Sequence, residues 1–295
     1  MPESAVSSLR AVRPSTHEAA RQKIGSLDLE GQFETISRLM HSISGVSLTD
    51  RKRDLVKARL AKRLRAVGWT SLGEYMRFVQ SEEGKEELGR MVDVLTTNKT
   101  SFFRESAHFD FIRDRILRHR EASGRPIRAW SAGCSSGEEA YTLAILLSET
   151  SRDAARRGDR ILATDISRDV LEVAKSGIYP ESKMEGVPDD VRTKWFERSW
   201  DAELDRTVYA VAPELRELVT VARLNLMAKW PMKGPFDLIL CRNVMIYFER
   251  ETRTRLVERF AELLAPGGHL FVGHSESLSS LTHSLEYVQP AVYRK

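Results

Sequence analysis

Between Arg128 and Asp165 the chain reads as a strand, a glycine turn, a helix and a second strand ending on an acidic residue. Arg128-Ala129-Trp130-Ser131-Ala132 runs into Gly133-Cys134-Ser135-Ser136-Gly137, the apolar segment Ala140 to Leu147 follows, and Ile161-Leu162-Ala163-Thr164-Asp165 closes the unit. This unit constrains the fold more than any other stretch, because two parallel strands need a crossover, and the crossover helix covers one sheet face. Glycines let backbone approach a ligand closely, and a carboxylate at the second strand's end accepts hydrogen bonds from ribose hydroxyls. Gly133 and Gly137 are separated by three residues, so the dinucleotide fingerprint and its phosphate cradle are absent. A tight connection without a ligand is the plain alternative. If a ligand binds, it is a nucleoside without phosphates, and S-adenosylmethionine fits that description.

The same rhythm continues downstream. Ser167 to Ser176 reads as a helix stopped by Gly177-Ile178-Tyr179-Pro180, and Leu218 to Ala222 as a strand leading into Arg223-Leu224-Asn225-Leu226. Phe236 to Leu240 is a compact buried strand, left through Cys241-Arg242-Asn243-Val244-Met245-Ile246-Tyr247-Phe248. Glu251 to Leu264 is an amphipathic helix ended by Ala265-Pro266-Gly267-Gly268, before a strand from His269 to Gly273. Leu285 to Val288 and Ala291 to Tyr293 alternate as an antiparallel edge hairpin. Glu181 to Glu217 breaks the rhythm, with a short helix in Pro188 to Arg198 and a strand in Thr207 to Ala212, and is read as a small β insertion. The expected core is α/β, a mostly parallel Rossmann-like sheet covered on both faces. Ligands of such sheets sit at the carboxyl ends of strands, where Gly133, Asp165, Asn225 and Asn243 all fall.

Ahead of the sheet the periodicity is helical. Residues 1 to 30 show no sustained period and are expected to be a flexible extension. Phe33, Ile36, Leu39, Met40 and Ile43 mark a first helix, Asp50 to Val67 a second, and Ser71 to Gln80 a third. Together they form an all-helical domain over residues 31 to 90, with the α/β domain over 91 to 295. Ser81 to Arg90, charged and with two glycines, reads as the start of a linker. Leu55, Val56, Leu60, Leu64 and Val67 form the apolar arc of the second helix, and Lys52, Arg59 and Arg63 form a stripe inside that arc. Unpaired cations do not occupy a dry core, so the stripe pairs with carboxylates of this chain or lines a wet cleft. In Asn98-Lys99-Thr100-Ser101-Phe102-Phe103-Arg104-Glu105 the two aromatics anchor a loop or touch a ligand. His108, Trp195 and Trp200 are read as packing residues, and His274 as a structural hydrogen-bonding residue.

Composition removes several classes. No run approaches the roughly 18 apolar residues of a membrane span, so membrane insertion is not expected. Met1 to Gly31 lacks an apolar signal core, and the two cysteines, Cys134 and Cys241, lie far apart. A reducing cytoplasm and no metal are the expectation. A basic module gripping nucleic acid is the rival of another class, but 42 acidic residues nearly balance 46 basic ones, for a net charge of +4.

Four strings taken together resemble one family. They are Asn98 to Arg104, Gly137-Glu138-Glu139-Ala140-Tyr141, Cys241 to Phe248, and Gly273-His274-Ser275-Glu276. From about Phe33 to the C-terminus the chain resembles the bacterial chemotaxis-receptor glutamate methyltransferases, the CheR family. The resemblance implies a three-helix N-terminal domain joined to an S-adenosylmethionine-dependent α/β domain with a small β insertion. It carries cofactor contacts onto Asn98, Thr100, Arg104, Glu139, Asp165, Asn225, Leu226, Arg242 and Asn243, with Asp165 on the ribose and Asn225 and Leu226 framing the adenine. Tyr247 would lie beside the transferred methyl, and Arg104 and Tyr247 would orient cofactor and acceptor. The implied substrate is a glutamate on the cytoplasmic helical stalk of a transmembrane chemoreceptor, recruited by Lys52, Arg59 and Arg63, and a monomer is expected. A carboxyl methyltransferase of another, non-motility signalling pathway is the alternative. Some family members dock a receptor peptide through a glycine-containing loop of the insertion; Trp200 to Arg206 contains no glycine, so tethered docking is not carried over.

Overall fold

The computed structural model describes residues 29–121, 124–150 and 154–295. Most of the extension expected over residues 1 to 30 lies outside the described residues. Four helices open the structure: α1 (Leu29–Ser44), α2 (Arg53–Val67), α3 (Leu72–Val79) and α4 (Lys85–Leu95). The spacing of Phe33, Ile36 and Met40 puts all three on one face of α1, and that face is buried. Gly68, in the left-handed conformation at φ 80°, ends α2. The Ser71 hydroxyl accepts the Glu74 N–H at 3.3 Å and caps α3. Val56, Leu60 and Leu64 of α2 and Tyr75, Met76 and Val79 of α3 close on Met91, Val92 and Leu95 of α4.

The linker expected from Ser81 is thus largely a helix, and the helical unit has four helices rather than the three implied by the resemblance. The charges of Lys85, Glu86 and Glu87 occupy its first turn, and the apolar face begins only at Leu88. Leu55 and Val67, expected in the buried arc of α2, are 43% and 37% exposed.

Beyond this unit come α5 (Ser106–Phe111), a π-helical turn over Ile112–Leu117, α6 (Arg118–Glu121), β1 (Arg128–Ala132), α7 (Glu138–Thr150), α8 (Ala154–Arg157), β2 (Arg160–Asp165) and α9 (Arg168–Ser176). Then follow β3 (Ile178–Pro180), α10 (Asp189–Trp195), β4 (Phe196–Asp201), β5 (Arg206–Val211), α11 (Pro213–Leu218), β6 (Val219–Arg223) and β7 (Phe236–Cys241). The chain closes with α12 (Arg250–Leu263), β8 (Leu264–Val272), β9 (Glu286–Gln289) and β10 (Val292–Arg294).

The main sheet has seven strands in the order β6-β2-β1-β7-β8-β10-β9. Strands β6, β2, β1, β7 and β8 are parallel, and β10 and β9 add the expected antiparallel hairpin. Both faces are covered, one by a cluster that includes Leu143, Ala144 and Leu147, the other by Leu256, Val257 and Phe260 with Trp130. The chain leaves β1 toward β2 and β6, then returns to β7 on the other side of β1. Loops leaving β1 and β7 therefore diverge and open a crevice above the strand ends.

The insertion is a separate antiparallel sheet, β3-β5-β4. Strands β3 and β4 escape the periodicity because β3 is three residues long and β4 is exposed at most positions. Trp200, read as a packing residue, is 62% exposed on β4. Strand β8 begins at Leu264, so Ala265 to Gly268 forms an irregularity inside a strand, with a register shift against β7, rather than a free turn.

The second helix shows how the helical unit is tied. Arg63 grips Glu87 of α4 through Nε at 2.8 Å and Nη2 at 2.5 Å, and the Tyr75 hydroxyl donates to the same carboxylate at 2.8 Å. Glu87→Ala leaves a half-buried cation and a buried phenol without their acceptor, and is expected to lower stability by about 2–3 kcal/mol. Urea unfolding checks this; an unchanged midpoint would contradict it.

Candidate active site

The crevice is a cleft of about 1180 Å³, part of it open to solvent. Its floor is the set of turns after β1, β2, β6 and β7, one wall is the segment from Leu95 to Arg104, and α2 leans over it with Leu55, Val56 and Arg59, next to Lys52 just before the helix.

The turn after β1 is held by the carboxylate at the end of β2. Gly133 adopts φ 87° and Ser135 φ 50°, and a Cβ on Gly133 would lie 2.4 Å from the Val244 side chain. Asp165 accepts the Ser135 N–H at 2.9 Å on one oxygen and the Ser167 N–H at 3.0 Å on the other. Burial raises the Asp165 pKa, opposed by those backbone donors. The Ser135 hydroxyl in turn donates to the Asn98 carbonyl at 2.9 Å, pinning the wall to the floor.

A chain of charge crosses the cleft's base. Arg242, with a side chain 2% exposed, donates to Glu139 at 3.0 Å and to Glu105 at 3.1 Å, and its guanidinium also bonds the Arg104 carbonyl. Glu139 is further held by the Ser131 hydroxyl at 2.7 Å. Burial pushes the Glu139 carboxyl up, against the pull of Arg242 and Ser131. At Glu105 burial pushes the same way, but Arg242 and Asn243 prevail and hold the carboxyl below its ordinary value.

Asn243 stands at φ 59°. Its N–H is received by Glu276 at 2.6 Å, as is that of Gly273 at 2.6 Å and that of Ile246 at 2.9 Å. Its amide nitrogen donates to Glu105 at 3.2 Å, which leaves the amide oxygen, on the cleft wall, without a partner. Glu105 and Glu276 carried no role in the sequence reading. The usable signal for Glu276 is an acidic residue just past a strand end, as with Asp165.

Of the residues singled out from sequence, Asn98, Thr100, Arg104, Gly133, Glu139, Asp165, Asn225, Leu226, Arg242, Asn243 and Tyr247 all line this one cleft, with Lys52 and Arg59 above them. Arg63 does not line it; its guanidinium is taken by Glu87. The stripe of Lys52, Arg59 and Arg63 thus divides, one member pairing inside the chain and two lining the cleft. Lys52 Nζ lies 4.4 Å from the centre of the Tyr247 ring, and burial together with Arg59 lowers its pKa. Arg59 donates to the carbonyls of Leu95 and Thr96 at 3.2 and 2.7 Å. Arg104 folds back on the Lys99 carbonyl at 2.8 Å. The Asn225 amide is committed to Ile43 and Met227, so it ties α1 to the floor. Phe102 is an anchor, buried against Tyr179 and Phe196.

Among the described residues, Glu105, His108 and His274 bring three metal-compatible donors within 4.8 Å. Arg242 already supplies the cation that Glu105 pairs with. His108 is 1% exposed and packs edge-on against His274 and Phe271. His274 is exposed and meets the His108 ring edge-on rather than making the structural hydrogen bond read from sequence.

A doubly covered, mostly parallel sheet, a carboxylate at the end of β2 and a glycine turn without the dinucleotide fingerprint, all at one cleft, fit a nucleoside-binding Rossmann-like fold. The match to a methyltransferase S-adenosylmethionine-binding domain makes it that of an S-adenosylmethionine-dependent methyltransferase. Comparison with known proteins gives the family. Residues 98–293 match the CheR methyltransferase S-adenosylmethionine-binding domain, and residues 31–96 the CheR methyltransferase all-alpha domain. A probable chemotaxis protein methyltransferase of Rhizobium etli is 40% identical over 261 residues, covering 87% of this chain and 96% of that one. The chemotaxis protein methyltransferases of Borreliella burgdorferi and Escherichia coli are 37% and 39% identical, each covering 90% of this chain and 94% and 90% of their own. The chain belongs to the CheR methyltransferase family. No helix among the described residues is long and apolar enough to cross a membrane.

The buried His108 makes stability depend on pH. Burial, with Arg242 nearby, lowers its pKa from 6.5 to about 4. Between those values the unfolded chain binds the proton and the folded one does not, so this group's contribution falls as pH falls from 6.5 toward 4. The raised carboxyls of Asp165, Glu139 and Glu276 act in the opposite sense. The informative quantity is therefore a difference. His108→Gln is expected to lose less melting temperature than the wild type between pH 6.5 and pH 4.5, and parallel losses would contradict the assignment.

Proposed function

We propose that this chain methylates glutamate side chains on the cytoplasmic helical region of transmembrane chemoreceptors, giving γ-glutamyl methyl esters and S-adenosylhomocysteine. The observation that carries the reading is family membership across both domains, joined to a cleft lined by Lys52 and Tyr247. The names of the curated relatives place them in chemotaxis.

The residues present fit the cofactor. Asp165 keeps lone pairs free beside its two backbone donors, suited to ribose hydroxyls. Leu226 and Val244 offer apolar surface for a purine, with Asn225 holding that part of the floor in place. Asn243 marks the other end of the cleft. Asn98, Thr100, Arg104 and Glu139 complete that end, and Arg242 acts by fixing Glu139 and Glu105. When bound, S-adenosylmethionine supplies a methyl group on a sulfonium that is already a good leaving group.

A glutamate carboxylate, with an ordinary pKa near 4.3, is ionised at neutral pH, so the reaction needs no general base. The chain's task is alignment and exclusion of water. Helix α2 covers the cleft, and the connection before it is latched where the Ser47 N–H meets the Tyr247 carbonyl at 2.8 Å. Lys52 and Arg59 bring positive charge to the mouth through which an acidic helix would present its glutamate. Arg63 drops out of this recruiting set because Glu87 neutralises it. Arg104 and Tyr247 orient the cofactor and the acceptor carboxylate. The reading takes the chain to act as a monomer.

Labelled S-adenosylmethionine with receptor-containing membranes tests the reading: label should enter the receptor and be released by base. Arg104→Ala is expected to lower turnover by about 100-fold. Lys52→Glu is expected to raise the receptor KM by about tenfold, more at low salt, where screening is weaker. Base-labile label entering only another protein would move the assignment to the non-motility alternative. Unchanged turnover in Arg104→Ala would remove that residue's role.

A further inference from the structure

The inserted sub-domain contributes no residue to the cleft's lining, yet three of its contacts reach segments that carry cleft-lining residues. The Tyr179 hydroxyl of β3 donates to the Ser136 carbonyl at 2.7 Å. Phe102 sits edge-on between Tyr179 and Phe196, at centroid distances of 5.1 and 5.2 Å. Lys183, on the short helical turn between β3 and α10, donates to the Glu138 carboxylate at 2.7 Å and to the Thr100 carbonyl at 3.2 Å.

The third contact is the unusual one. Glu138 opens α7 directly behind the glycine turn and is fully buried, at 0% exposure. One of its oxygens accepts the Ser136 hydroxyl at 2.7 Å, and the other accepts Lys183. A buried carboxylate needs a countercharge, and the insertion provides it. The same ammonium reaches the backbone of Thr100, which lines the cleft, although Lys183 itself does not. A single side chain therefore joins the glycine-turn side of the cleft to the wall formed by residues 98–104.

We propose that Lys183 is a positioning residue for cofactor binding, holding the segment 98–104 against the start of α7 and so setting the width of the S-adenosylmethionine cleft from within the inserted sub-domain. Its loss loosens the wall at Thr100, while Arg104, whose carbonyl is held by Arg242, Tyr247 and α2 stay where they are. The effect therefore falls on cofactor affinity and leaves the transfer step alone.

Lys183→Met, Lys183→Arg and the wild type would be titrated with S-adenosylhomocysteine by calorimetry, then compared in steady-state kinetics and thermal melts. Loss of a charge-assisted hydrogen bond predicts about tenfold weaker binding for Lys183→Met, with a matching rise in the KM for S-adenosylmethionine and kcat within about twofold. Lys183→Arg should recover most of the affinity. Wild-type affinity in Lys183→Met beside a lowered melting temperature would reduce Lys183 to a structural brace and overturn the proposal, as would a fall in kcat at constant KM. Lys183→Gln supplies a second neutral variant if the methionine form does not fold. The inference rests on the cofactor occupying this cleft: failure of the wild type to bind S-adenosylhomocysteine would sink that premise, whereas unchanged binding by the variant sinks only the role of Lys183.

Discussion

Arg242 is a cation almost wholly out of water, and the site is built around satisfying it. Glu139 comes from the helix after β1 and Glu105 from the turn before α5, and both reach the guanidinium across the base of the cleft. Removing one partner from such a buried arrangement leaves an uncompensated charge, which costs about 3–5 kcal/mol. That penalty explains why Glu105 tolerates a left-handed backbone at φ 55°. The strained turn places its carboxylate between Arg242 and Asn243, and the Arg104 carbonyl closes the same group. The polar segment 98–104 is thereby fixed at its carboxyl end by charge and at its start by Ser135.

The same device recurs around the floor. Asp165 receives backbone N–H groups of the turns after β1 and β2, and Glu276 those of the turns after β7 and β8. A carboxylate that accepts backbone donors fixes a turn more tightly than packing does, because hydrogen bonds to charged groups are short and directional. The cleft is thus shaped before any ligand arrives, and its polar groups carry little reorganisation cost on binding. The helical unit completes the enclosure from outside the sheet. Its α1 end is tied to the floor by Asn225, and Arg59 of α2 is tied to the end of α4.

Much of this was legible from residue patterns. The middles of β2 and β7, Ile161 to Ala163 and Leu238 to Cys241, are short apolar runs of the kind that a sheet covered on both faces buries. The residues at their ends converge on one cleft as expected, since topology rather than side-chain detail decides where strand ends meet. What failed depended on partners distant in sequence. A helical wheel places Arg63 beside Lys52 and Arg59, but Glu87, on a helix hidden by its charged first turn and two glycines, decides its fate. Strand β4 alternates no apolar face, so Trp200 gave no hint of its exposure. Glu105 and Glu276 are ordinary acids in sequence; only the fold shows that one meets a buried arginine and the other three backbone amides.

The central claim is that Arg242 and Glu139 act as one unit in shaping the cofactor cleft. A double-mutant cycle on S-adenosylhomocysteine affinity, with Arg242→Met, Glu139→Gln and the double variant, tests it most directly. The coupled pair predicts that the second substitution costs little once the first is made, a coupling of about 1–3 kcal/mol. Strictly additive losses in affinity would show that the two side chains act separately, and would contradict the account.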